Sequence, residues 1–533
     1  MKGLVIKTIR LLLFLALGAW CGRVSAQGDS LRVIPPDSVR YTIRIPDIII
    51  YGEDVERQRG GAKLVGGEGI GIEYPQLGVF KPLAEINHLR LTRPSLNLKS
   101  LLNQVYGGYG SFDTYRFGGW RSQSVGDFDY HLRASYEESR GHIRDAGYWS
   151  LGVGAFGRYS LTNNIGLASN LNFGKKELGL YGFINNPERK RDLQKVDVSF
   201  DLEGKGRYNW VASLGYQEAE ARDKGGSSQT QRERIWDVRL GGRAEYRRMS
   251  FLSDIRVRSF RLKGREDLWE ARVEGQSPLA GKGHLGAGLK VQFVDEKQRV
   301  SPIFNLSYIP RRGVGFSFIL SADLSPHRLR DSFSQNSYFF LSEDEYWEDV
   351  RVRASLGMEY EVKEGIFLKD VVVHQQIRDY LFWEGDSGLF RLGSYPELRT
   401  LENNLFITFN PYAGLKVELS LVLRDADLTK GSPSTWYIPY WERSSLYLAL
   451  YFPLKWGVNC WLGGEYHGKR HTSSTSEESL SSYYLLNLKI NKDLNDYFKV
   501  FFEAENLTNS KYEIWKGYRE PGINGLLGVS FSW

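Results

Sequence analysis

From about residue 104 to its end, the chain alternates apolar and polar residues with a period of two, and this constrains the fold more than any other feature. Leu415, Val417, Leu419, Leu421 and Leu423 share one face, and Lys416, Glu418, Ser420 and Arg424 the other. Val350, Val352, Ala354, Leu356 and Met358 alternate with Arg351, Arg353, Ser355 and Glu359. Trp236, Val238, Leu240, Ala244 and Tyr246 alternate with Asp237, Arg239, Arg243 and Glu245. This is the period of a strand, not of a helix. The segments run roughly 10–15 residues, where strands of soluble sandwiches run about five or six. A tilted strand crossing a bilayer needs about 9–11. One face apolar and the other dense in charge of both signs fits a membrane wall around a wet interior.

Composition narrows the choice further. No apolar run of about 18 residues occurs in the body of the chain, which excludes a helical membrane protein. The 14 Trp, 31 Tyr and 28 Phe exclude a disordered polymer, and 57 Gly disfavour a long helical bundle. A mean hydropathy of −0.39 looks soluble, yet it is what strands half in lipid and half in water average to. The net charge of +7 is too small and too dispersed for a nucleic-acid partner.

Residues 1–26 read as a signal peptide: Lys2, Lys7 and Arg10, then an apolar core from Leu11 to Trp20, then Val24-Ser25-Ala26 before Gln27. Its removal takes Cys21 and leaves Cys460 alone, so neither a disulfide nor a cysteine metal cluster is expected. A closed barrel would hold such a chain, because every strand is hydrogen-bonded on both sides.

Short turn signals at Gly126-Asp127, Thr162–Asn164, Gly204–Gly206, Lys363–Gly365 and Lys455–Gly457 alternate with longer polar links, including Asn185–Lys195, Asp223–Arg232, Pro326–Glu343, Trp383–Leu398, Asp425–Pro439 and Lys469–Leu480. The tally is an all-β transmembrane antiparallel barrel of about 22 strands (range 20–24), with short turns at one end and long links at the other. Aromatic clusters at strand ends, such as Tyr148-Trp149, Tyr338–Phe340, Phe382-Trp383 and Trp436–Trp441, are expected to form interfacial girdles.

The carboxyl end carries the most specific motif. Phe501-Phe502-Glu503-Ala504-Glu505-Asn506-Leu507-Thr508-Asn509 is followed by Tyr512, Pro521-Gly522 and a final strand in which Leu527, Val529, Phe531 and Trp533 alternate with Gly528, Ser530 and Ser532. Over these last residues the chain resembles the closing strands of TonB-dependent receptors. The resemblance implies a barrel in the outer membrane of a Gram-negative bacterium, in contact with outer-membrane lipid. Val529, Phe531 and the terminal Trp533 look like the signal read by the barrel assembly machinery.

The amino-terminal part departs from that family. Residues 27–104 are expected to form a periplasmic segment or a reduced plug, and residues 105–533 the barrel. Asp47-Ile48-Ile49-Ile50-Tyr51-Gly52 is similar to the family's TonB box and first plug strand, which makes TonB or another periplasmic protein a candidate partner by strand addition. A small plug or lumen strand is the equal alternative. The glycine-rich stretch from Glu53 to Leu83 lacks the content of a full plug, which argues against energised uptake. One helix is expected over Ser95–Asn103. A barrel this wide without a plug leaves a hole, since 16–18 strands already enclose a water channel. The amino-terminal segment, loops such as Ser332–Glu348, or a partner would have to fill it.

No catalytic constellation, metal site or cofactor site is expected. His467 and His471 are four apart but sit at a strand-to-loop junction with no ligand spacing around them. No nucleophile elbow surrounds any serine. Gly107-Gly108-Tyr109-Gly110 reads as barrel wall rather than phosphate cradle. The function expected is a receptor- or porin-like barrel admitting a solute, with Asp237, Arg239, Arg243, Arg351 and Arg353 as charges facing the lumen. The alternative is a structural or assembly barrel that binds a periplasmic or surface partner without transport.

Overall fold

The computed structural model describes residues 43–44, 72–73, 103–182, 188–206, 208–224, 230–246, 249–261, 265–279, 283–294, 297–311, 313–326, 328–339, 347–363, 365–386, 389–412, 414–429 and 436–533. The signal peptide, the TonB-box-like Asp47–Gly52 and the helix expected from Ser95 lie outside these residues, apart from Asn103, which is not helical.

Twenty-two strands close into one barrel. The wall begins with β1 (Gln104–Gly110), β2 (Thr114–Val125), β3 (Phe128–Ser139), β4 (Tyr148–Ser160), β5 (Ile165–Gly179), β6 (Lys190–Gly204), β7 (Tyr208–Lys224) and β8 (Thr230–Tyr246). It continues with β9 (Met249–Arg261), β10 (Arg265–Leu279), β11 (Gly283–Val294), β12 (Lys297–Arg311), β13 (Val314–Pro326), β14 (Trp347–Lys363), β15 (Ile366–Asp386) and β16 (Leu389–Tyr412). It ends with β17 (Leu415–Leu428), β18 (Ser444–Pro453), β19 (Val458–His467), β20 (Tyr483–Asp493), β21 (Phe498–Glu505) and β22 (Asn524–Ser532). Each strand pairs antiparallel with its neighbour in sequence, as β8 does with β7 and β9. The ring closes where β22 pairs with β1, from Leu526↔Gly110 to Ser532↔Gln104. Trp533 and Asn103 extend that seam through a pair of main-chain hydrogen bonds of 3.0 and 3.2 Å.

The period of two becomes two faces. Trp236, Val238, Leu240, Trp269, Val273 and Leu289 are between 47 and 61% exposed, a band that only lipid would cover. The residues between them carry the charges. The links at the end holding Asn103 and Trp533 are two to four residues long. Exposed rings ring that end: Tyr159, Tyr208, Tyr246, Trp456, Tyr497 and Trp533. At the other end the links reach 20 residues, between Pro326 and Trp347. Short turns on the periplasmic side and long loops outside are the outer-membrane arrangement.

Two expectations need correction. Trp383–Leu398 is not a loop. It is the crest of a hairpin in which β15 and β16, of 21 and 24 residues, pair as far as Asp386↔Leu389. At about 3.3 Å per residue the longer strand spans about 80 Å, far beyond what a bilayer requires. The turn residues in Glu384, Gly385 and Asp386 read as part of a long link, but they continue β15 and pair with Arg391, Phe390 and Leu389 of β16. The outer aromatic clusters also differ from expectation. Phe339, Phe382, Trp383, Tyr440 and Trp441 are all buried at 7% exposure or less, and pack with one another instead of forming a girdle.

Candidate functional site

The site is built from two parts, a charged inner wall and a roof over the outer mouth. On the wall, antiparallel register sets opposite charges side by side. Asp237 of β8 accepts from Arg256 Nε of β9 at 2.8 Å, and Arg239 Nε donates to Asp254 at 2.7 Å. Arg424–Glu402 at 2.7 Å repeats the pattern, while Arg299–Asp349 and Lys290–Asp323, both at 2.9 Å, reach across one intervening strand. Such partly solvated pairs are worth about 0.2–1 kcal/mol each. Their consequence is electrical more than energetic, because positive and negative groups are matched locally along the wall.

The five charges singled out in the sequence fall into separate places. Asp237 and Arg239 line a polar recess of about 260 Å³ with Arg256, Asp197, Asp201 and Gln217. The recess exists because Ser199 and Ser213 are small and Gly215, register partner of both Ser199 and Asp237, has no side chain. Arg243 lies nearer the inner end of β8 and pairs with Glu245 at 3.4 Å. Arg351 and Arg353 stand on β14, six strands further round the ring. Arg351 approaches Asp349 at 3.5 Å. Arg353 Nε donates at 2.7 Å to Gln375, whose carboxamide turns its oxygen to the guanidinium.

At the carboxyl end Val529 and Trp533 are exposed on the outer surface, and Phe531 stacks between Phe498 and Trp533 at 4.9 and 5.5 Å. The two histidines have separate partners. His467 ends β19 between Glu442 at 3.1 Å and Glu465 at 3.3 Å, and His471 stacks on Tyr437 at 3.8 Å. Among the described residues, no group of three or more His, Cys, Asp or Glu is placed to hold a metal ion.

The roof was not legible in the sequence. One continuous apolar cluster joins Leu193 of β6 and Ala219 and Ala221 of β7 to Leu381, Trp383, Phe390 and Leu392 of the β15–β16 hairpin. Those walls are eight to ten steps apart in a ring of 22, so side chains that touch must meet over the lumen. Four links supply the filling. The link after β5 gives Leu180, that after β13 gives Leu329 and Phe339, that after β17 gives Tyr440, and that before β22 gives Trp515 and Tyr518. The link after β13 contains a short helix, α1 (Leu329–Gln335). Tyr338 and Tyr518 stack at 3.5 Å, Phe390 meets Trp515 at 5.0 Å, and Tyr440 meets Trp515 at 4.7 Å. Offset and edge contacts of this kind add about 0.5–1.5 kcal/mol per pair beyond the area buried. Of the three ways to fill the lumen, inward folding of the loop after Pro326 is visible for residues 328–339.

No family model matches the sequence, and no curated protein does. Solved structures do match the fold. The siderophore receptor PirA of Acinetobacter baumannii superposes with a TM-score of 0.66 at 10% identity, over 81% of this chain and 80% of that one. The ferric-catecholate import receptor Fiu of E. coli K12 gives 0.65 at 10%, over 81% and 82%. The FrpB iron transporter of Neisseria meningitidis gives 0.64 at 11%, over 81% of each chain. The closed 22-strand barrel of this chain shares its fold with these receptor and transporter structures.

Proposed function

We propose that the protein admits a polar solute across the outer membrane through its lumen, with the roof as the outer barrier. The observation that carries this reading is the polar wall beneath an aromatic roof: a charge-matched inner surface offers a solute hydrogen bonds from many directions without trapping one ion. The likeness to iron and siderophore receptors supports a transport barrel. It supports no particular cargo at 10–11% identity. Asp237, Arg239, Arg243, Arg351 and Arg353 act in this reading as wall groups that set selectivity, with Asp237 and Arg239 at the recess.

Swelling of liposomes that carry the full chain, in an isotonic neutral sugar, tests the reading. With the roof in place swelling is expected to stay near the protein-free blank; with residues 328–339 shortened it is expected to rise well above the blank, and Gly215→Leu, which fills the recess, to slow it. No swelling above the blank, in this chain or in one with residues 328–339 shortened, would overturn transport and favour a partner-binding barrel. Energised uptake is a finer version. It assigns Asp47–Gly52 to a periplasmic partner such as TonB, and uptake that survives deletion of residues 46–52 would sink it.

A further inference from the structure

Charged side chains are almost never fully buried unless their hydrogen bonds are met. Arg191, the second residue of β6, is 2% exposed. One side of its guanidinium grips a single carboxylate on β7: Nε lies 2.6 Å from Asp223 Oδ1, and a terminal nitrogen 3.0 Å from Oδ2. Arg189 reaches the same carboxylate at 2.8 Å. The other terminal nitrogen of Arg191 donates to the main-chain carbonyls of Ser337, at 3.2 Å, and Phe339. Those carbonyls belong to the segment after α1, about 146 residues away along the chain.

The bidentate grip fixes the plane of the guanidinium, and that plane aims the remaining N–H groups at the loop. Asp223 therefore acts on the roof through Arg191. Within the segment Ser332 Oγ donates to Arg328 O and Asn336 Oδ1 accepts from Tyr338 N, while Gln335 Oε1 and Asn336 Nδ2 are buried without a partner. Its apolar anchors, Leu329 and Phe339, are 1% exposed and sit in the roof cluster. A second buried arginine, Arg470, donates in the same way to the carbonyls of Glu513 and Ile514 in the link before β22.

We propose that the Arg191–Asp223 pair is a latch that holds residues 328–339 in the roof, and that releasing it opens the outer mouth of the barrel. The proposal rests on the transport reading above. Asp223 and Arg191 are positioning residues here, because neither needs to touch the solute.

The test is hydrogen exchange by mass spectrometry on the full chain in detergent, with sugar-driven liposome swelling in parallel. Barrel closure of every variant is checked by its heat-modifiable gel migration. Arg191→Ala and Asp223→Asn are expected to speed exchange in residues 328–339 at least about tenfold and to speed swelling. Arg470→Ala is expected to loosen residues 513–519 instead. Should Arg191→Ala fail to assemble, Arg191→Lys keeps the charge and loses the planar fork, and reads the same contact. Unchanged exchange in residues 328–339 of a closed barrel overturns the latch. Faster exchange with unchanged swelling overturns the gate. A chain with residues 328–339 replaced by a short Gly-Ser link separates the two readings. If it too admits no sugar, the transport reading fails, while the exchange result still judges the latch.

Discussion

At the scale of single residues, the seam of the barrel depends on the absence of side chains. A Cβ on Gly110 would come within 2.5 Å of the Gly525 carbonyl oxygen and 3.1 Å of Leu526 Cα. A Cβ on Gly119 would press on the Gln104 carbonyl and lie 3.1 Å from Val105 Cα. Both obstacles are backbone of a paired strand and cannot rotate away. Gly110→Val and Gly119→Val are therefore expected to abolish the fast-migrating, heat-modifiable band of the closed barrel. Gly174→Val, whose added Cβ would meet nothing within 4 Å, is expected to keep it. The wall charges behave differently. Arg239→Ala breaks one partly solvated pair and is expected to lower stability by about 1 kcal/mol or less in denaturant titration. Losing Asp223 is expected to cost the roof about 3–5 kcal/mol, because it strands the buried Arg191 charge, and losing Arg191 is expected to cost less, because Arg189 still pairs with Asp223.

At the scale of elements, the β15–β16 hairpin is the keel of the roof. Trp383 is 2% exposed, packs on Phe339 at 5.1 Å and faces Trp515 at 6.4 Å. Trp383→Ala is expected to destabilise the roof by about 3–5 kcal/mol. The expected readout is fast hydrogen exchange in residues 436–443 and 513–519 with the lower wall unchanged; an unchanged roof would mean that the tryptophan is not a keystone. The link before β22 adds a pH dependence. Burial pushes the Glu520 carboxyl up to about 7, with Lys176 acting to lower it. A raised carboxyl favours its protonated form in the fold, so its contribution is complete below the ordinary carboxylate range near 4.5 and is lost as pH rises through about 7. Protection of residues 506–523, taken relative to the intrinsic exchange rate at each pH, is expected to be greater at pH 5.5 than at pH 8, and Glu520→Gln is expected to flatten that difference.

At the scale of the whole molecule, the wall was legible and the roof was not, for a physical reason. Strand faces repeat every two residues, so Trp236–Tyr246 or Leu415–Arg424 announce a lipid side and a wet side locally. Neighbour pairing then follows from the order of turns, and Gly107–Gly110 did prove to be wall. A roof is made of contacts between residues far apart in the chain, such as Arg191 with Phe339 or Trp383 with Trp515. An aromatic at a strand end reads the same whether it meets lipid head groups or folds inward over the lumen. Phe382-Trp383 and Trp436–Trp441 were misread for that reason. The recess was half legible: Asp237 and Arg239 were visible as charges, but the hollow made by Ser199, Ser213 and Gly215 needs three strands in register. In the transport reading a hollow barrel is shut on its outer side by its own loops. Planar-bilayer recording of the full chain beside a chain with residues 328–339 shortened tests it most directly. Near silence is expected from the first and large conductance steps from the second. Equal conductance in the two, whether both open or both closed, would contradict it.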